Sequence, residues 1–439
     1  MTLATLPPTA QVRGRVTRIG LLGPFGFGNL GDAAIQQAMI QNIHRFVPDV
    51  QIIGFSLNPE DTERRHCIPT YPISRFSETR WMKPRNNAVY LFTLNRLADR
   101  FRDSSAPFER LVGKLALALP LEILSVLDAS TTVIAMDYFL FSGGGQLDDY
   151  WHGPWHHPYT MLLWALIARL RGARVCFVSV GAGPIDHPLS RQFIRAALAL
   201  SHYRSFRDDD SRRLIASIGS RHLGPVYPDL AHSLDLEPYT AASQQRGLQP
   251  IVAVGPMVYF EDQGWPEQDR VVYETYLGKL ATLICWLLDC DNDVLLFTGE
   301  AVHDLRAINV LRAILAEHGI PLDDPRIIVP EIETVDDLMT HLARVDAAIA
   351  SRFHGVLLAQ LLNKPVLALS YHPKIDNLMA DMGQAAYCLP IDRFEPEVAI
   401  ERFQAMQADS EQIKRTMAER TRAYREALDE QYRALFGSH

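Results

Sequence analysis

The segment Val345–Leu362, VDAAIASRFHGVLLAQLL, decides the fold. Its first six residues form a short apolar run suited to a buried strand, and VLLAQLL at its end has the apolar character of a packed helix. Between them stands SRFHG, Ser351–Gly355, so a strand hands over directly to a helix. Open α/β sheets bind ligands at such turns. The turn offers free backbone N–H groups and the positive end of a helix dipole, to which Arg352 adds a guanidinium and His354 an imidazole. This combination suits an anionic substrate that also needs a proton moved. The plain alternative pairs Arg352 with a structural carboxylate and lets His354 cap the helix. Other loops of the same kind weigh against it.

Working outward, the same alternation recurs on both sides. Downstream, KPVLALSY is a strand, HPKIDNLMADMG starts a helix and YCLPI is a last short strand. Upstream, PIVAVGPMV, NDVLLFTGE and RIIVP read as strands, separated by helices over about residues 266–289, 303–318 and 335–345. The first half repeats the pattern. VTRIGLLG is a strand, Ala33–Phe46 a helix with Asp32 at its N-cap, and VQIIGFS the next strand. After a less regular stretch come the strands within Thr131–Gln146, Ala173–Ile185 and Tyr203–Ser211, with helices at His157–Gly172 and about 189–201. The fold class this predicts is α/β, with two Rossmann-like domains facing across a cleft and parallel, doubly wound sheets.

The expected boundaries are an N-terminal domain over 14–240, a C-terminal domain over 248–395, and a polar linker between them within 237–249. The charge-rich helix over 396–439 is expected to pack back across both domains. A helical insertion at about 58–128 holds VYLFTLNRLADRF and FERLVGKLALALPLEILSVL, the second with an apolar face read as packing on the sheet rather than on a membrane. A formal net charge of −8 argues against non-specific nucleic-acid binding. The five cysteines lack metal-ligand spacing and fit a reducing compartment. With no signal-like N-terminus, the expected location is the cytoplasm.

Several loops carry candidate chemistry. GFGNLG, Gly26–Gly31, matches GxGxxG, but its glycines start several residues past the strand, and no acid closes the second strand at Ser56, Leu57 and Asn58. A nicotinamide site is thereby disfavoured against a glycine-rich lip whose Gly28 backbone and Asn29 and Asp32 side chains touch a phosphate or sugar hydroxyls. SGGGQ places Gly143, Gly144, Gly145 and Gln146 at a strand end, and GAGP places Gly181 and Gly183 at another, where a ligand could approach the backbone closely. FRDDDS offers Arg207, either to the cleft or to Asp208. In PDLAHSL, Asp229 and His232 read as buried or capping. DDYWHGPWHHPY, Asp148–Tyr159, holds two Trp, two Tyr and three His, and suits a sugar-stacking wall better than a metal site. YHPKIDN brings Lys374, a further anion contact, and His372.

In that order GNLGD, SGGGQ, VGAGPI, FRDDDS, PDLAHS, SRFHG and YHPKID resemble the motif series of the polysaccharide pyruvyl transferase family, over about Gly20–Gly383. The sequence departs from that series in Pro24 and Phe25 before the lip and in His372 in place of an acidic residue. The resemblance implies a GT-B-like architecture and transfer of the pyruvyl group of phosphoenolpyruvate onto a sugar as a ketal. The family's basic contacts to phosphoenolpyruvate fall here on Arg207, Arg352 and His354. Lys374 is expected to assist them, His354 to move the proton, and Asp32 or Asp148 to orient the acceptor. No metal or cofactor is expected. The acceptor is expected to be a lipid- or nucleotide-linked oligosaccharide at the inner face of the membrane, with a peripheral membrane contact and a homo-oligomer left open. Two rivals stand beside this reading: a glycosyltransferase using a nucleotide sugar, and a non-catalytic protein that binds sugar or phosphate.

Overall fold

The computed structural model describes residues 16–437, apart from 24–25, 27, 74–130, 132, 134–135, 151–152, 222, 244–248 and 262–266. The two helices expected in the insertion therefore lie outside the described residues. In the first half the strands are β1 (Thr17–Leu22), β2 (Val50–Ser56), β3 (Thr70–Pro72), β4 (Tyr138–Ser142), β5 (Arg174–Val180) and β6 (Tyr203–Phe206). Its helices are α1 (Leu30–Phe46), α2 (Pro59–His66), α3 (His157–Leu170), α4 (Pro188–Leu200) and α5 (Asp209–Ser217). The expected linker begins with a helical turn at Glu237–Tyr239 and a short helix α6 (Thr240–Ser243). The second half holds β7 (Ile251–Gly255), β8 (Asp293–Leu296), β9 (Ile327–Ile328), β10 (Ala347–Ala350), β11 (Val366–Ser370) and β12 (Cys388–Pro390). Its helices are α7 (Arg270–Asp289), α8 (Asp304–Glu317), α9 (Val335–Arg344), α10 (Phe353–Leu361), α11 (Pro373–Asp381), α12 (Pro396–Ala408) and α13 (Ser410–Phe436).

Each half forms a six-stranded parallel sheet, in the orders β3-β2-β1-β4-β5-β6 and β12-β11-β10-β7-β8-β9. Both follow the doubly wound pattern, and the direction of winding reverses between β1 and β4 and between β7 and β10. The strand sequences show why. With helices on both faces the central strands are covered, so YFLFS in β4 and AAIA in β10 are buried throughout and read as continuous apolar runs. The lip after β1, the SGGG loop after β4 and the SRFHG turn after β10 all leave their sheets at those two reversals.

The core explains how the halves stay together. One apolar cluster runs from Ile19 and Leu140 in the first sheet, under α1, to Val254 and Ile349 in the second. A separate cluster on the outer face of the first sheet is aromatic, with Phe141 stacked on Phe177 at 4.2 Å and Phe139 stacked on Trp164 at 5.7 Å. The single long C-terminal helix read from the sequence is two helices, broken at Asp409, whose carboxylate accepts a hydrogen bond from the Tyr387 hydroxyl at 2.7 Å. Its second member crosses the halves. Tyr424 bonds Asp381 at 3.2 Å, while Gln431 accepts from Ser179 at 3.0 Å and donates to Ser205 at 2.6 Å. Tyr432 stacks on Phe46 at 5.7 Å, and Arg45 pairs with Asp429 at 2.7 Å.

Candidate functional site

The lip after β1 is the first wall of the site. Asn29, rather than Asp32, is the N-cap of α1, and its Oδ1 accepts from the N–H of Gly31 at 3.0 Å and of Asp32 at 3.4 Å. The helix thus starts three residues earlier than the sequence suggested, because the lip is pinned to the other lobe. Leu30 N–H donates to the Gly299 carbonyl at 3.1 Å, and Ala301 N–H donates to the Gly28 carbonyl at 2.9 Å. Gly28 sits at φ +77°, with Glu300 where a Cβ would stand. Freed from capping, the Asp32 side chain turns to the SGGG loop, its Oδ1 3.6 Å from where a Cβ on Gly144 would lie. Burial pushes the Asp32 carboxyl up to about 6, and Asp229 adds to this while His354, Lys374 and Arg207 oppose it.

The centre is built by three motifs from both lobes. Asp229, buried after the first sheet, caps its own turn through Ala231 N–H at 3.0 Å. Its other oxygen faces Arg207 Nη1 at 3.5 Å and His354 Nε2 at 3.7 Å. Burial alone would raise the Asp229 carboxyl, but His354, Arg207 and the Ala231 N–H outweigh it and hold it well below the usual range. At 3.7 Å the His354 contact is electrostatic rather than a hydrogen bond, so Nε2 is buried without a hydrogen-bond partner among the described residues. The ring lies against Gly31, where any Cβ would overlap it. Gly181 is glycine for a similar reason, since a Cβ there would meet the Arg207 guanidinium at 2.8 Å.

Phe353, which sequence reasoning passed over although it lies inside SRFHG, organises the cations. Arg207 from the first lobe lies over its ring at 5.1 Å and Lys374 at 5.8 Å. Lys374 sits in the first turn of α11, whose N-cap is His372, and burial followed by Lys374 and Arg207 pulls His372 below its ordinary range. Asp148 shares this field: burial pushes it up to about 7, Asp149 and Asp32 add to this, and Lys374 opposes it.

Other candidates are placed differently. Arg352 is the N-cap residue of α10, and its fork is taken by fully buried Asp304, with Nε donating at 2.7 Å and Nη2 at 2.6 Å. The plain pairing is therefore the one seen, and Asp304 also accepts from Gly299 and Glu300 N–H, which fixes the loop that grips the lip. Gln146 turns inward, where its amide donates to the Ser142 and Gly143 carbonyls at 2.7 and 2.8 Å; it braces the loop instead of facing the cleft. Gly143 and Gly144 have positive φ, and a Cβ on Gly145 would meet only open space. Gly183 is required by its φ of +107°, away from Arg207 and against Leu214. Of the aromatic stretch, Trp151 and His152 lie outside the described residues, Trp155 and Tyr159 join Phe193 in a three-ring cluster, and His157 is half-buried with its Nε2 enclosed. Among the described residues no group of three or more His, Cys, Asp or Glu is placed to hold a metal.

Solved structures of low identity share the fold. A UDP-GlcNAc 2-epimerase from Methanocaldococcus jannaschii is 10% identical, with 88% of this chain and 92% of that one covered at a TM-score of 0.52. A UDP-forming α,α-trehalose-phosphate synthase from Burkholderia vietnamiensis is 11% identical, covering 96% and 97% at 0.55. A Neisseria meningitidis UDP-GlcNAc 2-epimerase bound to UDP-GlcNAc is 12% identical, covering 91% and 94% at 0.51. These likenesses establish the two-lobed GT-B architecture alone. No curated protein matches the chain. The sequence model of one family, described as polysaccharide pyruvyl transferase, matches residues 29–373. That span opens at the cap of α1 and closes beside Lys374, so it takes in nearly every group described above, and the chain belongs to the polysaccharide pyruvyl transferase family.

Proposed function

We propose that the protein moves the pyruvyl group of phosphoenolpyruvate onto two hydroxyls of a sugar in a polysaccharide or its precursor, forming a ketal and releasing phosphate. The observation that carries this reading is the arrangement around Phe353, where Arg207 and Lys374 each lie over the ring beside half-buried His354 and buried Asp229. Two cations from opposite lobes suit a small acid carrying both a phosphate and a carboxylate. Arg352 acts behind them, holding the loop at 299–301.

The steps use the chain's own groups. His354, oriented by Asp229, gives a proton to the methylene carbon, and C2 becomes electrophilic. The first sugar hydroxyl bonds to C2 as Asp32 takes its proton, a role that suits a carboxyl pushed up to about 6. The second hydroxyl then bonds to C2 as the C2–O bond to phosphate breaks. Its proton returns to His354, and the proton on Asp32 leaves with the phosphate. Asp148 lies close enough to Lys374 and Asp32 to steer the acceptor. We place the reaction in the cytoplasm, where phosphoenolpyruvate is made, with the acceptor on a lipid or nucleotide carrier.

The test is release of phosphate from phosphoenolpyruvate in the presence of an acceptor glycan. His354→Ala and Arg207→Ala are expected to lose at least about a hundredfold in kcat, the usual weight of a positioned proton donor or charge clamp. Phosphoenolpyruvate is expected to raise Tm while UDP does not. Stabilisation by UDP alone, or transfer surviving both substitutions, would replace this reading with that of a nucleotide-sugar transferase.

A further inference from the structure

The two cations over Phe353 are held in different ways. Arg207 is already shared: its Nε faces Asp208 at 3.4 Å, its Nη1 faces Asp229 at 3.5 Å, and its Nη2 lies beside Gly181. The Lys374 ammonium, among the described residues, makes no ion pair or hydrogen bond. It lies instead over two ring faces, Phe353 at 5.8 Å and Tyr371 at 5.5 Å. A ring face holds a cation in place while leaving its donors available to an anion. The sheet supplies both rings. β10 and β11 are parallel neighbours with Ala350 paired to Ala368, and Phe353 and Tyr371 each stand three residues beyond that pair. Lys374 follows in the first turn of α11, where its backbone N–H donates to Nδ1 of the His372 cap at 3.2 Å.

Phosphoenolpyruvate presents two unlike anions. A phosphate monoester titrates for the second time near pH 6 and is mostly dianionic at neutrality, whereas the carboxylate carries one charge and is planar. The dianion suits the cation whose charge no carboxylate shares, and the planar group suits a guanidinium edge. We propose that Tyr371, with Phe353, holds the Lys374 ammonium ready for the phosphate of phosphoenolpyruvate, while Arg207 takes the carboxylate. This rests on the reaction proposed above and gives the substrate a direction, with its phosphate on the second lobe and its carboxylate on the first. Asp32 and Asp148 feel the same ammonium, and burial pushes them up to about 6 and about 7, so the phosphate end meets carboxyls able to carry a proton. That agrees with phosphate leaving with the Asp32 proton. Phe353 serves both cations, but Tyr371 meets Lys374 and not Arg207 among the described cation–ring contacts, so Tyr371 is the positioning residue for one end alone.

The experiment is calorimetric titration of the full chain with phosphoenolpyruvate and with its two halves, inorganic phosphate and pyruvate. Lys374→Met is expected to lose at least about tenfold in phosphate affinity, the weight of a charged hydrogen bond, with pyruvate affinity unchanged. Tyr371→Leu is expected to lose about fivefold for phosphate alone, and Tyr371→Phe, which keeps the ring, to bind as the parent does. Arg207→Ala is expected to do the converse, losing pyruvate and keeping phosphate. A merely structural role for Tyr371 would weaken both halves together. Phosphate affinity that survives Lys374→Met, or that falls in step with pyruvate, overturns the proposal and leaves the reaction standing, because phosphoenolpyruvate binding by the parent is read separately. A parent protein that binds none of the three overturns both. Should Tyr371→Leu fail to fold, Lys374→Met still decides which end the ammonium holds.

Discussion

Gly31 shows how one missing methyl group ties the two lobes. Its backbone is helical and would accept alanine, which favours helix by about 1 kcal/mol over glycine. A Cβ there would nevertheless overlap the His354 ring. Gly31→Ala is expected to fold with unchanged circular dichroism while losing at least about tenfold in kcat, as the imidazole leaves Asp229; full activity would show that the ring position is immaterial. Asp32 makes a second case. An ordinary carboxyl titrates near 3.9, so one pushed up to about 6 favours the folded state in its protonated form, and that stability is lost as pH rises from about 4 through 6. Asp32→Asn is therefore expected to raise stability at pH 8 by about 1–2 kcal/mol, allowing for partial exposure, and to show no gain at pH 3. The same variant should abolish the rise of kcat with pH near 6. Motif reading singled out Asp32, Arg207, His354 and Lys374, which the structure brings near one another; Arg207, His354 and Lys374 follow closely on strands, and Asp32 lies in the first turn of α1. It misassigned the cap because Asn29 and Asp32 are equally good capping residues, and only the grip of the 299–301 loop on the lip decides between them. Neither the partner of Arg352, which lies 48 residues away, nor the inward turn of Gln146 leaves a local signal.

The elements of the sheets were legible because both faces are covered. Where every position is buried, a strand is a short apolar block between glycine or polar loops, and β4, β10 and β11 read that way, as does β5 after its exposed Arg174. β9 is reduced to Ile327–Ile328, an edge strand whose length no pattern specifies. The final helices were harder. Their charge marks them as peripheral, but the Tyr387 hydroxyl that meets the break at Asp409 is distant in sequence, and α13 adds single buried polar contacts to its apolar face. Gln431 is fully buried and satisfies both Ser179 and Ser205. Removing it leaves the buried Ser179 hydroxyl unpaired and Ser205 with only the Ser179 N–H, so Gln431→Ala is expected to cost about 1–3 kcal/mol, read from chemical denaturation, while Gln412→Ala on the exposed side of the same helix should be neutral. Equal effects would mean that the contact is incidental.

At the scale of the molecule, the two sheets behave as one body because a single apolar cluster, the lip bridge and α13 all join them. Calorimetry of the intact chain is expected to give one unfolding transition. Deleting residues 410–436 should separate it into two, with the half containing β5 and β6 melting first. One undivided transition after the deletion would show that the shared core suffices. The bridge by α13 also has a temporal side. Ser179 waits for a partner 252 residues downstream and Ser205 for one 226 residues downstream. At about 5–20 residues per second of ribosomal synthesis, the first half of a nascent chain stays unfastened for roughly 10 to 50 s. Chaperones therefore have their longest access to this protein at the back of its first sheet, and that face hardens only once α13 has been made.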